Sequence, residues 1–476
     1  MNKMIVFLAL SIYGVCSISY NQTQDLTPIL TQESLPFTVT LALSEFQLPS
    51  NSSDSYGIQS FVSAIYKGKW LLLGGRTNGL HGFGDSDDNF PPRLQNTNVY
   101  VVDPKKGKVS VRSLKSSSAG LNQFQIDALS ATASQYYQVG STLYVVGGYG
   151  IDSASGQFNT KSTLTAIDVP SMMDWVESEN SKKSAADSIR QTSHPLLQVT
   201  GGDLTQENPH QPFLLIFGQN FPGFYYNSSN GLYTEQVRAF QIIDNGKTLY
   251  IKPEPQYATN PNYRRRDLTV IPRIKKGSRS YDGEYVALSG VFTEQGGVWT
   301  VPVIIQGDGT SYMPDPLNPN TFKQGMNNYV APYVSLFSKK SGEMFTLLFG
   351  GLSYLIYSGG SFSEDPQIPF INSVTTIKID SQGDFSQYIM NNEYPVIESE
   401  FANFGNLLFF GTSATFFPAS GLSLFPNQVV SLDSIGSEPV LLGYIVGGIQ
   451  STYANTTEIT DSSASPYIFS VILQRQ

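Results

Sequence analysis

Short apolar strands that end in glycine recur along this chain, and six of them read as one element of a repeat: LLLGG ending at Gly75, LYVVGG at Gly148, FLLIFG at Gly218, YVALSG at Gly290, FTLLFGG at Gly351 and LGYIVGG at Gly448. Self-similarity of this kind marks a repeat architecture. Around the first copy the pattern predicts strands at 60–66, 70–75, 97–103 and 108–114, with a Lys67-Gly68-Lys69 turn, a long polar loop and a turn at 104–107 between them. That is a four-stranded antiparallel meander. The order repeats at 131–138, 143–148 and 164–169, with a fourth strand sought within 187–192; at 196–200, 213–218, 237–243 and 248–252; at 268–271, 285–290, 299–305 and 310–313; and at 329–337, 344–350, 374–380 and 385–389. The second strand of each copy is apolar on both faces, as stacking between two neighbouring sheets requires.

Composition agrees with that pattern. Forty-two Gly and 27 Pro against 14% charged residues make a turn-rich, strand-rich chain in which helix should be scarce. Length alone would suggest about three domains of roughly 150 residues, but the repeat overrides that count. A formal charge of -9 argues against a nucleic-acid partner, which needs a basic stripe to neutralise phosphates. Residues 1–19 read as a signal peptide: Lys3 supplies the basic start, residues 4–16 are almost uninterruptedly apolar, and Ser17 and Ser19 suit cleavage before Tyr20. The run is too short to span a bilayer, no other long apolar run exists, and the expected location is secreted or extracytoplasmic, the periplasm or cell surface in a bacterium. The sole cysteine, Cys16, lies within that segment, so the mature chain would hold no thiol or disulfide. Lipid attachment at Cys16 is the alternative, against which Val15 stands where a small residue is expected. Sequons at Asn21, Asn51, Asn227 and Asn455 could carry glycans in a eukaryotic host.

The glycine pairs (Gly74-Gly75, Gly147-Gly148, Gly350-Gly351, Gly447-Gly448), each followed by a variable loop and a strand with a terminal turn residue (VYVVDP, LTAIDVP, TTIKID), resemble the Kelch repeat of β-propellers. Copies three and four depart from it with a single glycine, and its Tyr and Trp positions are only partly filled. The resemblance spans nearly the whole mature chain and implies an all-β, six-bladed Kelch-like β-propeller over residues 37–476, preceded by a polar segment at 20–36. The last blade has strands at 440–448 and 467–473 and then the chain stops, so FTVTLAL at 37–43 is expected to supply its outer strand and close the ring. Seven blades is the alternative, because LLFFG at 407–411 and 429–433 also look like repeat strands; the six-blade reading takes them as an elaborated start of blade six.

In such a ring, the loops joining second and third strands emerge on the same face as the links between blades. Those loops, 76–96, 149–161, 219–236, 352–372 and 449–466, are the long ones, and long loops on a rigid scaffold carry function. They hold Arg76, Asn78, His81 and Arg93, then Gln219, Asn220, Phe221, Phe224, Tyr225 and Tyr226, with Tyr354 and Tyr357; the link before blade four adds Arg264, Arg265 and Arg266. Of these, Arg76, Asn78, His81, Arg93, Gln219, Asn220, Phe221, Tyr225, Arg265 and Arg266 are the candidate ligand-binding residues. Guanidinium groups, amides and aromatic rings around a funnel suit an anionic or hydroxyl-rich ligand such as a sugar. Each has a structural alternative: Arg76 can pair with a loop carbonyl, the aromatic residues can pack the loops, and the arginine triplet can brace a loop, since only alternate residues of a strand share a face. Asp85, Asp87 and Asp88 follow His81, but the Gly and distal Glu of a calcium loop are missing, so no metal or cofactor is expected.

Familiar catalytic motifs are absent. There are three histidines, no G-x-S-x-G, no HExxH and no Walker A loop. The copper radical oxidases that share the Kelch propeller need a cysteine cross-linked to tyrosine, which the mature chain lacks. The chemistry left open uses arginine and carboxylates, as in propellers resembling N-acetylneuraminate epimerase; Glu207, Glu235 and Asp267 are the carboxylates near the candidate residues. The function expected is an exported binding or interaction module that recognises a glycan or extracellular protein through its long-loop face. A sugar epimerase or mutarotase acting on an acidic sugar is the alternative, and a purely structural matrix role comes third.

Overall fold

The computed structural model describes residues 26–49, 57–82, 84–226, 231–274, 283–294, 296–400 and 403–476. The expected signal segment and the sequons at Asn21, Asn51 and Asn227 lie outside the described residues. The fold is an all-β propeller assembled from antiparallel meanders. Blade one comprises Val62–Tyr66, Lys69–Leu73, Asn98–Asp103 and Lys108–Ser113. Blade two comprises Gln135–Val139, Thr142–Val146, Thr163–Asp168 and Ile189–Ser193. Blade three uses Asp203–Thr205, Phe213–Ile216, Val237–Asp244 and Leu249–Pro253. Blade four uses Val270–Ile274, Gly283–Ala287, Val303–Gln306 and Ser311–Tyr312. Blade five, Tyr333–Ser338, Glu343–Phe349, Ser373–Ile379 and Phe385–Glu393, is widened by Ile29–Thr31 and Val430–Ser431. The sixth sheet runs Thr415–Pro418, Val440–Val446, Ile468–Arg475 and then Phe37–Leu43, which pairs along its whole length with the C-terminal strand. The stretches at 407–411 and 429–433 make no further blade: Phe409–Thr412 pairs with Ile449–Ser451, and Val430–Ser431 edges blade five.

Hydrophobic packing closes the ring. Six apolar clusters each join two successive sheets, for example Leu71, Val99, Leu143 and Ile167 between blades one and two, and Trp70, Tyr100, Phe417 and Val446 between blades one and six. A fully buried side chain of this kind stabilises by about 1.5–3 kcal/mol, so every seam is held by its own core.

At the axis the seams share a second device. The residue two or three places before each inner strand, namely Ser60, Ala133, Gly201, Asp267, Val330 and Ser413, has a left-handed backbone, with φ between 47° and 65°. Each such residue can donate its N–H to the carbonyl of its counterpart in the preceding blade. Ala133 donates to Ser60 (3.2 Å), Gly201 to Ala133 (3.0 Å), Asp267 to Gly201 (2.6 Å), Ser413 to Val330 (2.9 Å) and Ser60 to Ser413 (3.1 Å). The sixth link, from Val330 to Asp267, is missing among the described residues. The glycine pairs add an outer hoop, in which Gly75, Gly148, Gly218, Gly351 and Gly448 donate to Ala131, Val199, Arg265, Phe410 and Ile58 of the next blade. Blade four has Leu288 and Ser289 where the pair belongs, neither with positive φ, and Ser289 N–H turns to the Gln324 side chain (3.1 Å). Both hoops are therefore interrupted at the seam between blades four and five.

Several expected boundaries move for local reasons. The first strand of blade three is Asp203–Thr205 rather than 196–200, because Pro195 starts a 3-10 turn, Pro195–Leu197, capped by the His194 side chain. Gly290 does not end the second strand of blade four but opens a small hairpin, Gly290–Val291 with Val298–Trp299, and Pro302 delays the third strand to Val303. Asp168, read as a turn residue, caps the helix Val169–Glu177, whose Met172, Met173 and Trp175 complete the core between blades one and two.

The glycine pairs are a steric necessity. Gly75 has φ +78°, and a Cβ there would lie 2.2 Å from the Gln59 carbonyl oxygen; Gly156 has φ +70° with open space around it. Gly156→Ala should cost about 1 kcal/mol from backbone strain alone, and Gly75→Ala about 3 kcal/mol or more, read by denaturant titration of the two variants. Equal costs would mean that close contact between blades does not constrain Gly75.

Candidate functional site

A cavity of about 740 Å³ opens on the axis at the long-loop face. Its floor includes Ser60, Ala133, Asp267, Val330 and Ser413 of the axial ring, and every blade sends residues of a loop into its wall. The loops are tied to one another: Asn89 Nδ2 donates to the Tyr225 carbonyl (2.8 Å), Tyr149 Oη to the Gly223 carbonyl (2.8 Å), and Asn455 Nδ2 to Asp365 Oδ2 (2.9 Å). Such cross-ties make a shaped site from segments that would otherwise wander.

Arg76 follows the first glycine pair directly, so the turn delivers it to the wall. It is only 1% exposed. Its Nε donates to Asn78 Oδ1 (2.7 Å) and its Nη2 to the Pro91 carbonyl (2.9 Å), and the guanidinium lies 4.9 Å from the Phe90 ring centre. Its Nη1 is buried, and among the described residues it has no hydrogen-bond partner and no carboxylate pairs with the guanidinium. Burial pushes its pKa down to about 9, which leaves it charged at neutral pH. A desolvated cation with a spare donor is unfavourable alone and favourable beside an anion.

A second polar group stands on blade four. Arg266 Nε lies 3.8 Å from Asp267 Oδ2 without a hydrogen bond of its own, while Arg266 Nη2 donates to Tyr225 Oη (3.2 Å). Tyr329 Oη reaches Asp267 Oδ2 at 3.5 Å. Burial pushes the Asp267 carboxyl up, and Arg266 and Tyr329 offset only part of that rise. Burial also works against charge on Arg266, but Tyr225, Tyr233, Asp267 and Tyr329 more than compensate and hold the guanidinium charged. Arg264 stacks on Tyr233 at 4.0 Å. The lining thus carries three guanidinium groups against one recessed carboxylate, Asp267, with Glu294 exposed at the rim.

Aromatic rings connect the two arginine centres. Phe90 packs 5.2 Å from Tyr225 and 5.5 Å from His81, which itself lies 4.5 Å from Tyr225. His81 Nδ1–H donates to the Gly82 carbonyl (2.9 Å), which leaves Nε2 as the acceptor nitrogen of the neutral ring. Burial, with Arg266 and Arg76 adding repulsion, lowers its pKa to about 4.

Of the residues singled out in the sequence, the cavity lining brings together Arg76, His81, Gln219, Phe221, Tyr225, Tyr226, Arg264 and Arg266. Asn78 stands behind the wall as the partner of Arg76. Arg93 points outward and pairs with Asp88 at 3.3 Å, and Asn220 lies off the lining. Arg265 faces the other way, fully buried, and its donors satisfy the Leu288 (3.0 Å), Val301 (2.8 Å) and Asn262 (3.3 Å) carbonyls over the Trp299 ring; it braces blade four and does not touch the cavity. Tyr354 Oη donates to Glu364 and Tyr357 packs at a tilt against Phe362, within or beside their own hairpin. Glu207 accepts from the Gly283 N–H, away from the cavity. The sequence marks Asp267 only as a nearby carboxylate and does not single out Tyr149, Tyr233 or Tyr329. Tyr329 sits in the link before an inner strand, the same placement that drew attention to the arginines. Among the described residues, no three His, Cys, Asp or Glu side chains gather as a metal site, and no helix is long and apolar enough to cross a membrane.

No protein-family model matches the chain, and no curated protein matches it. Among the solved structures that match is one described as "Structure of YjhT", with a TM-score of 0.44 and 9% identity, covering 88% of this chain and 95% of that one. The functional reading therefore rests on the geometry of the site.

The depressed His81 pKa links stability to pH. The unfolded chain binds this proton from about pH 6.5 downward, the folded chain only near pH 4, so stability is full above pH 6.5 and falls as the pH drops towards 4. His81→Gln should remove a slope of up to about 1.4 kcal/mol per pH unit in that window. Melting temperatures of both proteins from pH 8 to pH 4 test this: parallel curves would mean that His81 is not buried as described.

Proposed function

We propose that the axial cavity binds a small ligand bearing a carboxylate and several hydroxyl groups, an acidic sugar or the acidic terminus of a glycan, and that the protein is a recognition module working through its long-loop face. The observation that carries this reading is Arg76, a residue of the cavity lining whose buried Nη1 donor has neither hydrogen-bond partner nor carboxylate among the described residues. A ligand carboxylate supplies both. The excess of guanidinium groups on the lining favours the same sign of charge, and the rings of Phe90, Tyr225 and Tyr233 offer flat apolar surface to the C–H face of a sugar. A concave space of this size suits a sugar residue better than a folded protein surface.

A second reading, mutarotation of the bound sugar, is favoured by one observation: Arg266, Asp267 and Tyr329 converge on one side of the same cavity. Exchange at an anomeric centre needs a proton taken from the anomeric hydroxyl and one given to the ring oxygen. A carboxyl whose pKa is raised by burial, next to a phenol and a guanidinium, can do both in turn.

Isothermal titration of the protein with N-acetylneuraminate and with glucuronate tests the binding reading. Saturable binding is expected for at least one acid, weakened about tenfold or more in Arg76→Gln, with circular dichroism to establish that the variant is folded. Undiminished binding in a folded variant, or no binding of either acid to the wild type, would overturn it. For the second reading, NMR exchange between the anomers of N-acetylneuraminate should be accelerated by the wild type and slowed about a hundredfold in Asp267→Asn; binding without acceleration would leave a recognition module only.

A further inference from the structure

The missing link in the axial ring lies on the floor of this cavity. Five of six equivalent N–H groups are spent on the preceding blade, so the chain is capable of closing the hoop everywhere and leaves it open at one seam. The two ends of the gap are the Val330 N–H and the Asp267 carbonyl, both residues of the lining. Three further features gather at the same seam. The outer glycine hoop is interrupted there, with side chains of Gln324 and Asn327 bridging to Ser289 instead. Asn328 (φ +43°) and Val330 (φ +57°) both hold left-handed backbones, and Val330 is the one β-branched residue among the six axial links, where that conformation is most strained. Asp267 and Tyr329 place a carboxylate and a phenol beside the gap, 3.5 Å apart.

We infer that a hydroxyl group of the ligand closes the ring, accepting from the Val330 N–H and donating to Asp267. The chemistry of the gap selects that group. One end is a donor and the other an acceptor, so an occupant must offer both, as water and an alcohol do; a carboxylate has no proton to give and would face the Asp267 carboxylate as well. A sugar hydroxyl reproduces the hydrogen bonds of the water it displaces, so exchange costs little while the rest of the ring gains stacking contacts. The ligand is thereby oriented, with its carboxylate towards Arg76 and a hydroxyl in the seam between blades four and five. The seam discriminates against acids without hydroxyl groups, because these leave the donor and acceptor unpaired. This inference rests on the acidic-ligand reading above and goes beyond it by assigning the hydroxyl subsite.

Hydrogen exchange of the wild-type protein, followed by mass spectrometry at fragment resolution, tests it with two probes: glucuronate, and cyclohexanecarboxylate as an acid of similar ring size without hydroxyls. In the free protein the amide of Val330 should exchange at least about tenfold faster than those of Ser60, Ala133 and Ser413, which are already bonded. Saturation with glucuronate should slow Val330 to the rate of the others, whereas cyclohexanecarboxylate should bind at least about tenfold more weakly and leave Val330 fast. Tyr329→Phe, which removes only the phenolic oxygen beside Asp267, should weaken glucuronate several-fold and leave cyclohexanecarboxylate unchanged. If both acids bind and neither slows Val330, or both slow it equally, the hydroxyl subsite is wrong while the acidic-ligand reading stands. If Val330 is already as slow as the other ring amides in the free protein, the gap does not exist. If glucuronate does not bind, N-acetylneuraminate replaces it as the hydroxylated probe; failure of all three acids to bind would overturn the acidic-ligand reading and this inference with it.

Discussion

The structure depends on a hoop of backbone hydrogen bonds between left-handed residues at the axis. Six sheets packed face to face could meet at a range of spacings, since apolar contacts are non-directional. An N–H aimed at the carbonyl of the preceding blade sets the spacing at each seam, and the left-handed turn before the inner strand aims it. Five of those six turns use residues other than glycine, at a cost of about 1–2 kcal/mol each. The buried apolar seams supply the stability that offsets this strain.

That geometry also makes the site. The turn that orients each N–H brings the link residue to the axis, where its side chain can only point along or into the cavity. Ser60, Ala133 and Ser413 present little there, whereas Asp267 adds a carboxylate, and the neighbouring links add Arg266 and Tyr329. Apart from Arg76, the charged groups of the lining are thus concentrated on blade four and its seam with blade five, where the repeat has departed furthest from its own rule. Arg76 stands on a different blade, attached to the rigid end of a glycine pair, and the rings of Phe90 and Tyr225 span the interval between the two polar centres. A ligand that satisfies both must have its anionic and hydroxylated ends apart.

Much of the architecture was legible because its physical causes are local. Apolar runs ending in glycine locate the second strands, since left-handed backbone with no room for a Cβ admits little else, and the long loops after them converge as the meander topology demands. The first strand of blade three was not legible: Leu196 to Thr200 is apolar enough for a strand, and only the capping by His194 and the fixed φ of Pro195 turn it away. Blade four hid its glycine-pair position because Leu288 and Ser289 replace both glycines, so Gly290 drew the reading one residue too far. Within the site, adjacency in RRRD could not decide which arginines face the axis. Arg265 turns to the core and its neighbours to the cavity, a choice made by the carbonyls of Leu288 and Val301, which accept from its guanidinium. Tyr329 and Asp267, distant in sequence, meet only because the ring brings successive links together.

The most direct test of the central claim is to locate an anion in the cavity. Anomalous diffraction from a crystal soaked in bromoacetate, a carboxylate that carries its own heavy atom, reads this without assuming the identity of the ligand. A bromine peak inside the axial cavity, with the carboxylate within hydrogen-bond distance of the Arg76 guanidinium, is expected. Ordered bromoacetate bound only on the outer surface, with the cavity beside Arg76 empty of it, would contradict the account.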